Sequence, residues 1–486
     1  MTAPARIHHT VTFAVLTAGV TAYAVLQSLV VPVLPTIQAE LHTSQASVTW
    51  VLTAYLLSAS IFTPIMGRIG DLHGKKRTFV LALVALAAGS VIGALAANIG
   101  VMVLARVIQG IGGGVLPLAF GIIRDEFPPE RVSGAVGRLA SIIAVGAGLG
   151  IVLAGPIEST LDVHWLFWLP AILITLAAIA AHFVVPESPR RGDGRISVLP
   201  AVLLTAWLVC ALVALSEAPS WGWASTRVLG LFAAAIVLAV GWIASEQRAA
   251  SPLIDLRMMR LPAVWTTNVV ALLIGFGMYS SFAFLPEFLQ TPTSSGYGFG
   301  SSITESGLIL LPSSVTMFVV GLFAGRLVNG IGAKRTIVTG AAVATVSMVL
   351  LTTAHSATWE LYLVNAIMGV GFGMAYSAMS SLIVDAVPSA QTGVASGMNA
   401  NIRTIGGSIG SALVASIVTA GTPAGKLPHE SGYTAAFGLM AVVTALAAVA
   451  ALAIPKLRHR PDADDEPPHP ELALVAGGTV VGDKPE

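Results

Sequence analysis

Charge is scarce in this chain. Only 10% of its 486 residues are Asp, Glu, Lys or Arg, while 55% belong to the set from Ala to Cys that avoids water. A soluble domain carries about a quarter charged residues, so no soluble surface can be built from this composition. Cysteine is nearly absent: the single Cys210 lies inside an apolar run, which excludes a disulfide framework and a cysteine metal site. Net charge is missing too. With 25 Lys and Arg against 24 Asp and Glu, the chain offers no basic face to nucleic acid. It has no Walker loop, no HExxH and no soluble domain between apolar runs, so neither enzyme chemistry nor a cofactor is expected, and any work must draw on an ion or solute gradient. The apolar stretch after Arg6, His8 and His9 exceeds the roughly 7 to 15 residues of a signal-peptide core and lacks a convincing cleavage site, so it reads as a first membrane span.

What the chain has is long apolar runs. A bilayer core of about 30 Å takes roughly 20 apolar residues as a helix. Such runs occupy 11–34, 48–67, 78–97, 100–123, 134–158 and 164–186, then 197–216 and 228–246, then 264–289, 304–325, 336–354, 359–384, 394–420 and 433–454. The order six, two, six predicts an all-α integral membrane protein of 14 transmembrane helices. Its divisions are a six-helix bundle over 1–190, a two-helix insertion over 191–260 expected at the periphery, a second six-helix bundle over 261–457, and a disordered cytosolic tail over 458–486, too polar to order itself. With both termini in the cytoplasm, 20 of the 25 basic residues fall in cytoplasmic segments and two, Arg227 and Lys426, in external ones. That is the positive-inside bias, and adding or losing one span would place the basic clusters of one half on the wrong side. Richness in Ala, Gly and Val suits a bacterial plasma membrane.

The two sets of six repeat each other. GRIGDLHGKKR, from Gly67 to Arg77, matches GRLVNGIGAKR, from Gly325 to Arg335, at an offset of 258; Gly67, Arg68, Gly74, Lys76 and Arg77 recur, and Asp71 becomes Asn329. RVIQGIGGG from Arg106 matches NAIMGVGFG from Asn365 at 259, and Asp125 and Pro128 match Asp385 and Pro388 at 260. Parallel halves of this kind place a substrate site near the midplane between them and suit alternating access by rocking.

These residues resemble the major facilitator superfamily and, within it, the fourteen-helix drug:proton antiporters, over about 11 to 455. GRIGDLHGKKR is similar to the superfamily's signature loop between its second and third spans, RVIQGIGGG to the fourth-span signature with its arginine, and GLGIVLAGPIES, from Gly148 to Ser159, to the fifth-span antiporter signature that marks exporters. The chain departs from the family pattern twice. Ser159 and Thr160 stand where the signature ends in a Gly pair, and Leu26, followed by Gln27 and Ser28, stands where the family carries an aspartate nine residues before the proline that is Pro35 here. The second departure weakens any preference for cationic drugs. The resemblance implies a monomer that moves a small-molecule substrate against protons, with sodium left open as the coupling ion.

Individual residues divide by what a membrane does to polar groups. The resemblance implies that Asp71, with Gly67, Arg68, Gly74, Lys76 and Arg77, pins the halves together on the cytoplasmic side through the positive end of a helix in the other half; a solvated topology-setting charge is the plainer reading. Arg106, inside a span, should face a wet cavity or a partner, unless it snorkels to the outer headgroups. Arg138 and Arg403 look better able to reach water. Proton coupling needs a carboxylate that is alternately dry and wet, and Glu158 and Glu287, near outer helix ends in corresponding parts of the halves, are candidates for coupling or substrate contact alongside Arg106; plain external exposure explains the two acids equally well. Asp125 and Asp385 fit helix packing and salt bridges. Gly150, Gly155 and Pro156, with Gly146 and Gly148, make the fifth span a candidate sliding element. Gln27, Tyr55, Tyr279, Asn365 and Tyr376 are candidates for the cavity wall, although tyrosines also anchor spans at the interface. An importer or an exporter of an endogenous metabolite shares the fold, and a membrane enzyme or channel fits the residues less well.

Overall fold

The computed structural model describes residues 9–43, 45–187, 197–249, 252–254, 256–388, 391–420, 422 and 427–455. The expected tail over 458–486 lies outside the described residues. Among these, regular structure is entirely helical. The long helices are α1 (His9–Leu29), α2 (Gln45–His73), α3 (Lys75–Ala94), α4 (Ile99–Glu126), α5 (Pro129–Thr160), α6 (Trp165–Val184), α7 (Val198–Trp221), α8 (Thr226–Arg248), α9 (Pro262–Gln290), α10 (Ile303–Leu322), α11 (Ala333–Thr353), α12 (Thr358–Ala386), α13 (Thr392–Thr419) and α14 (Glu430–Ala451). Thirteen of them, all but α5, are long and apolar enough to cross a membrane. The remaining one, α5, falls on the expected run 134–158; its 32 residues, at about 1.5 Å each, give more than the length of a bilayer core.

Two local corrections follow from backbone chemistry. The first span stops at Leu29 rather than 34, because Pro32 and Pro35 lack N–H groups and disfavour helix in the residues before them; the chain turns and restarts as a short helix, Leu34–Glu40. Within α4, the glycine run makes a 3-10 turn at Ile111–Gly114. Each glycine there admits a neighbour: a Cβ on Gly113 would sit 2.9 Å from the Ala59 carbonyl oxygen of α2, and one on Gly112 would overlap Leu86 of α3.

Within the first six long helices, α1 packs on α5 and α6, α2 on α4, and α3 on α4 and α6; within the last six, α9 packs on α13 and α14, and α11 on α12 and α14. The two sets meet through α2 against α13 and α5 against α10 and α12. The repeat is visible in the backbone. Gly74 and Gly332, its mate at offset 258, precede α3 and α11 with φ of 109° and 88°, values that favour glycine because an L side chain would crowd the following carbonyl. The insertion is peripheral only in part. α8 turns Ile236, Val237 and Val240 outward, but α7 lies against both α2 and α13, with Thr53 and Ser216 hydroxyls 3.0 Å apart and Trp223 Nε1 donating to Ser416 Oγ at 2.8 Å. α7 therefore packs where α2 and α13 meet, with Leu204 and Leu208 in the apolar cluster that holds Ile61, Val394 and Met398, a placement that hydropathy alone does not reveal.

A close crossing inside the second set is α11 on α12, where a Cβ on Gly371 would stand 2.7 Å from the Ala344 Cα. Gly371→Val should cost about 1–3 kcal/mol through overpacking and lower the thermal unfolding midpoint of the purified protein. Gly230→Val on α8, where a Cβ meets nothing within 4 Å, should leave the midpoint unchanged.

Candidate functional site

At the basic-loop end, backbone approaches backbone across the two sets of helices. A Cβ on Gly67 of α2 would stand 2.7 Å from the Gly393 carbonyl oxygen of α13, and one on Gly325 would stand 2.8 Å from the Gly134 Cα of α5. The four glycines form repeat-related pairs, since Gly67 maps to Gly325 at 258 and Gly134 to Gly393 at 259. One turn beyond Gly67, Asp71 is 1% exposed and its carboxylate faces the Val394 N–H at the start of α13. Neither oxygen completes a hydrogen bond of full geometry, so the attraction is to the positive end of the helix as a whole. Asn329, in the corresponding place of the second copy, is exposed.

Around this contact the charges are paired off. Lys75 Nζ lies 2.8 Å from Asp125 Oδ2, both side chains 1% exposed, as the salt-bridge reading of Asp125 expected. Glu187 accepts the Lys76 N–H at 3.2 Å and lies 3.4 Å from Arg77 Nε, so a carboxylate caps the amino end of α3. Gly74, favoured by its φ of 109°, also lets that carboxylate come close, since a Cβ there would displace it. Arg68 is half-buried. Arg124 reaches from α4 to the other set, donating to the Val387 carbonyl at 2.7 Å, to the Val384 carbonyl and to Thr392 Oγ1; it caps carbonyls left open at the carboxyl end of α12. Sequence reasoning missed Arg124, Glu187, Gly134 and Gly393. The two glycines had a signal, the match of Ser133-Gly134-Ala135 with Thr392-Gly393-Val394 at the repeat offset.

At mid-depth the site is cationic and aromatic. Arg106 is 0% exposed, which removes the snorkelling reading. Its Nε donates to the Val51 carbonyl at 2.9 Å and its Nη1 to Gln109 Oε1 at 2.7 Å, while the guanidinium lies over the Tyr55 ring at 4.6 Å. Arg403 was ranked too low by sequence: it sits 11 residues into α13, is 4% exposed, lies over the Tyr376 ring at 4.2 Å and donates to the Tyr376 hydroxyl at 3.0 Å. Tyr279 of α9 lies near Tyr23 of α1, Tyr55 of α2 and Tyr376 of α12, so the rings that cover Arg106 and Arg403 share a tyrosine neighbour. Gly407 makes room for Tyr279, since a Cβ there would stand 2.6 Å from its ring. Gln27 is half-buried one helical turn from Tyr23. Asn365, by contrast, is wholly buried and spends its amide on the Leu361 carbonyl at 2.8 Å.

The two candidate acids contact neither arginine. Glu158 accepts from Thr36 at 3.5 Å, and Glu287 accepts from the buried Tyr433 hydroxyl at 3.1 Å; each is held within its own set of helices near the end away from the basic loops. Arg138 is exposed, over the Phe13 ring. The glycines of α5 face two ways: Gly146 and Gly150 meet α1 at Ala24 and Ser28, while Gly148 and Gly155 meet Ser314 and Thr304 of the other set. Pro156 is exposed, its carbonyl accepting from the Ser159 and Thr160 hydroxyls.

Lys75→Met leaves Asp125 buried without its partner and should cost about 3–5 kcal/mol of stability, seen as a lower unfolding midpoint of the purified protein. Adding Asp125→Leu should recover most of that loss.

Comparison with known proteins places this geometry. Residues 16–411, and again 267–484, match the family model of the Major Facilitator Superfamily. The chain is 29% identical over 401 residues to the tetracenomycin C resistance and export protein of Streptomyces glaucescens, covering 82% of this chain and 73% of that one. It is 28% identical over 376 residues to a multidrug transporter protein of Bacillus subtilis, covering 76% and 68%. Its fold matches the crystal structure of the human organic anion transporter MFSD10 with a TM-score of 0.69 at 15% identity, over 93% of this chain and 100% of that one. The chain belongs to the major facilitator superfamily.

Proposed function

We propose that this transporter is a proton-coupled antiporter that exports hydrophobic small molecules, antibiotics among them, from a bacterial cell by alternating access, as a monomer with both termini cytoplasmic. The observation that carries the reading is the pairing of a closed basic-loop end with a polar, ring-lined site at mid-depth. Two glycine crossings, Asp71 at the amino end of α13 and Arg124 at the carboxyl end of α12 hold that end shut. The contacts are short-range and few, so a modest free energy separates closed from open, as a rocking transporter requires. The two bacterial relatives, a tetracenomycin C resistance and export protein and a multidrug transporter protein, support the outward direction.

On this reading substrate enters between the halves from the cytoplasm and contacts Arg106, Tyr55, Tyr279 and Tyr376. Closure then seats Gly67 on Gly393 and exposes the site to the outside. Glu158 and Glu287, near the external ends of α5 and α9, take up protons there and release them when the opposite state changes their hydration.

Proteoliposomes with an internal pH-sensitive dye and an imposed pH gradient test the proposal. Substrate should drive proton movement whose direction reverses with the gradient, and Glu158→Gln or Glu287→Gln should abolish it. Asp71→Asn should lower the transport rate by about tenfold, the equivalent of ~1.4 kcal/mol of lost closure, while leaving substrate binding intact. Substrate flux that ignores the proton gradient contradicts proton coupling, and flux directed only inward contradicts export.

A further inference from the structure

Two buried guanidinium groups share the middle of this protein without an acid. Arg106 and Arg403 form no ion pair among the described residues, and their hydrogen-bond acceptors are a carbonyl, two side-chain amide oxygens and a phenol. Neutral acceptors satisfy N–H groups but leave the charge itself uncompensated, and an uncompensated buried charge is costly. The position where the family carries an acid on the first span is Leu26, 1% exposed in the apolar core.

Each arginine keeps an N–H that no neighbour takes up. Arg106 Nη2 and Arg403 Nε are buried without a hydrogen-bond partner. The rings supply a second kind of contact. Tyr55 and Tyr376 give one face each to the guanidinium groups, while Tyr23 and Tyr279 are only half-buried and offer ring area to a ligand. A cationic drug placed here meets two like charges and unsatisfied donors; an anion meets complementary charge and pairs with those donors in charge-assisted bonds.

We infer that the mid-depth site selects organic anions, aromatic molecules carrying a carboxylate, sulfonate or acidic phenolate, and that Arg106 and Arg403 together set this preference from opposite halves. The assignment rests on the export reading for its physiological role, but its chemistry stands on the site alone.

The test uses one ring system in three charge states: 9-anthracenecarboxylate, 9-anthracenemethanol and 9-(aminomethyl)anthracene, binding to the full chain in phosphatidylcholine nanodiscs, read by fluorescence anisotropy against empty nanodiscs. The carboxylate should bind about tenfold or more tightly than the other two. Arg106→Gln and Arg403→Gln should each remove that advantage, bringing carboxylate affinity down to that of the alcohol, and Arg403→Lys should restore part of it. The charge series on the unaltered chain decides the matter even where a variant fails to fold. Equal or tighter binding of the amine overturns the assignment, as does wild-type affinity for the carboxylate in both glutamine variants. Loss of carboxylate binding when phosphatidylglycerol replaces phosphatidylcholine would give the arginines to a lipid headgroup and overturn it too. Gradient-driven export of the amine as preferred substrate would sink the anion assignment and leave export standing; carboxylate preference without gradient-coupled flux would do the reverse.

Discussion

Asp71 can face the amino end of α13 only because Gly67 and Gly393 carry no side chains. The two helices cross where a Cβ on either residue would press on the other's backbone, and that approach brings a buried carboxylate, one turn further along α2, against the first N–H groups of α13. Much else at this end follows. The loop must turn back at Gly74 for α3 to begin, Lys75 must bury its charge against Asp125, and Glu187 must return from the end of α6 to cap α3. The contact is repeated at Gly134 and Gly325 but not its charge, since Asn329 is neutral and exposed. The lock is thus two-fold in backbone geometry and one-sided in electrostatics, with Arg124 adding to the same side.

The mid-depth site obeys a different constraint. Inside a membrane an arginine has to be solvated by the protein, and Arg106 and Arg403 are each solvated by an aromatic face and neutral oxygens. This keeps the cations in place without discharging them. The seam between halves is built from small residues, as expected where apolar surfaces gain little by leaving lipid. α5 presents glycine to α1 on one face and to the opposite half on another, so it can hold its own bundle while its contact with α10 changes. α7 packs against both α2 and α13, where the two sets meet.

Most of the architecture was legible because hydropathy, the positive-inside bias and the repeat offset are independent signals that agree. Helix position followed from run length; the exact end of α1 did not, because two prolines overrode the apolar composition after Leu29. Arg106 could be singled out since an arginine in a span is costly anywhere. Arg403 was undervalued because distance from a helix end, all that sequence provides, says nothing of which neighbours cover it; Tyr376 and Asn399 do so here. Tyr23 was missed for the same reason, its importance lying in tyrosines from three other helices. Glu158 and Glu287 were located correctly near helix ends, yet their partners Thr36 and Tyr433 lie far away in sequence. Gly134 and Gly393 were legible in the repeat, as contacts between backbones rather than as signature residues.

The central claim is that the end closed by Asp71 opens and closes. Pulsed electron paramagnetic resonance would measure it, with spin labels at His73→Cys and Gly330→Cys, both exposed and in different halves, in a chain carrying Cys210→Ser. Two distance populations are expected, the longer gaining weight with Asp71→Asn and the balance shifting with substrate. A single distance, unmoved by that substitution or by substrate, would contradict alternating access built on this lock.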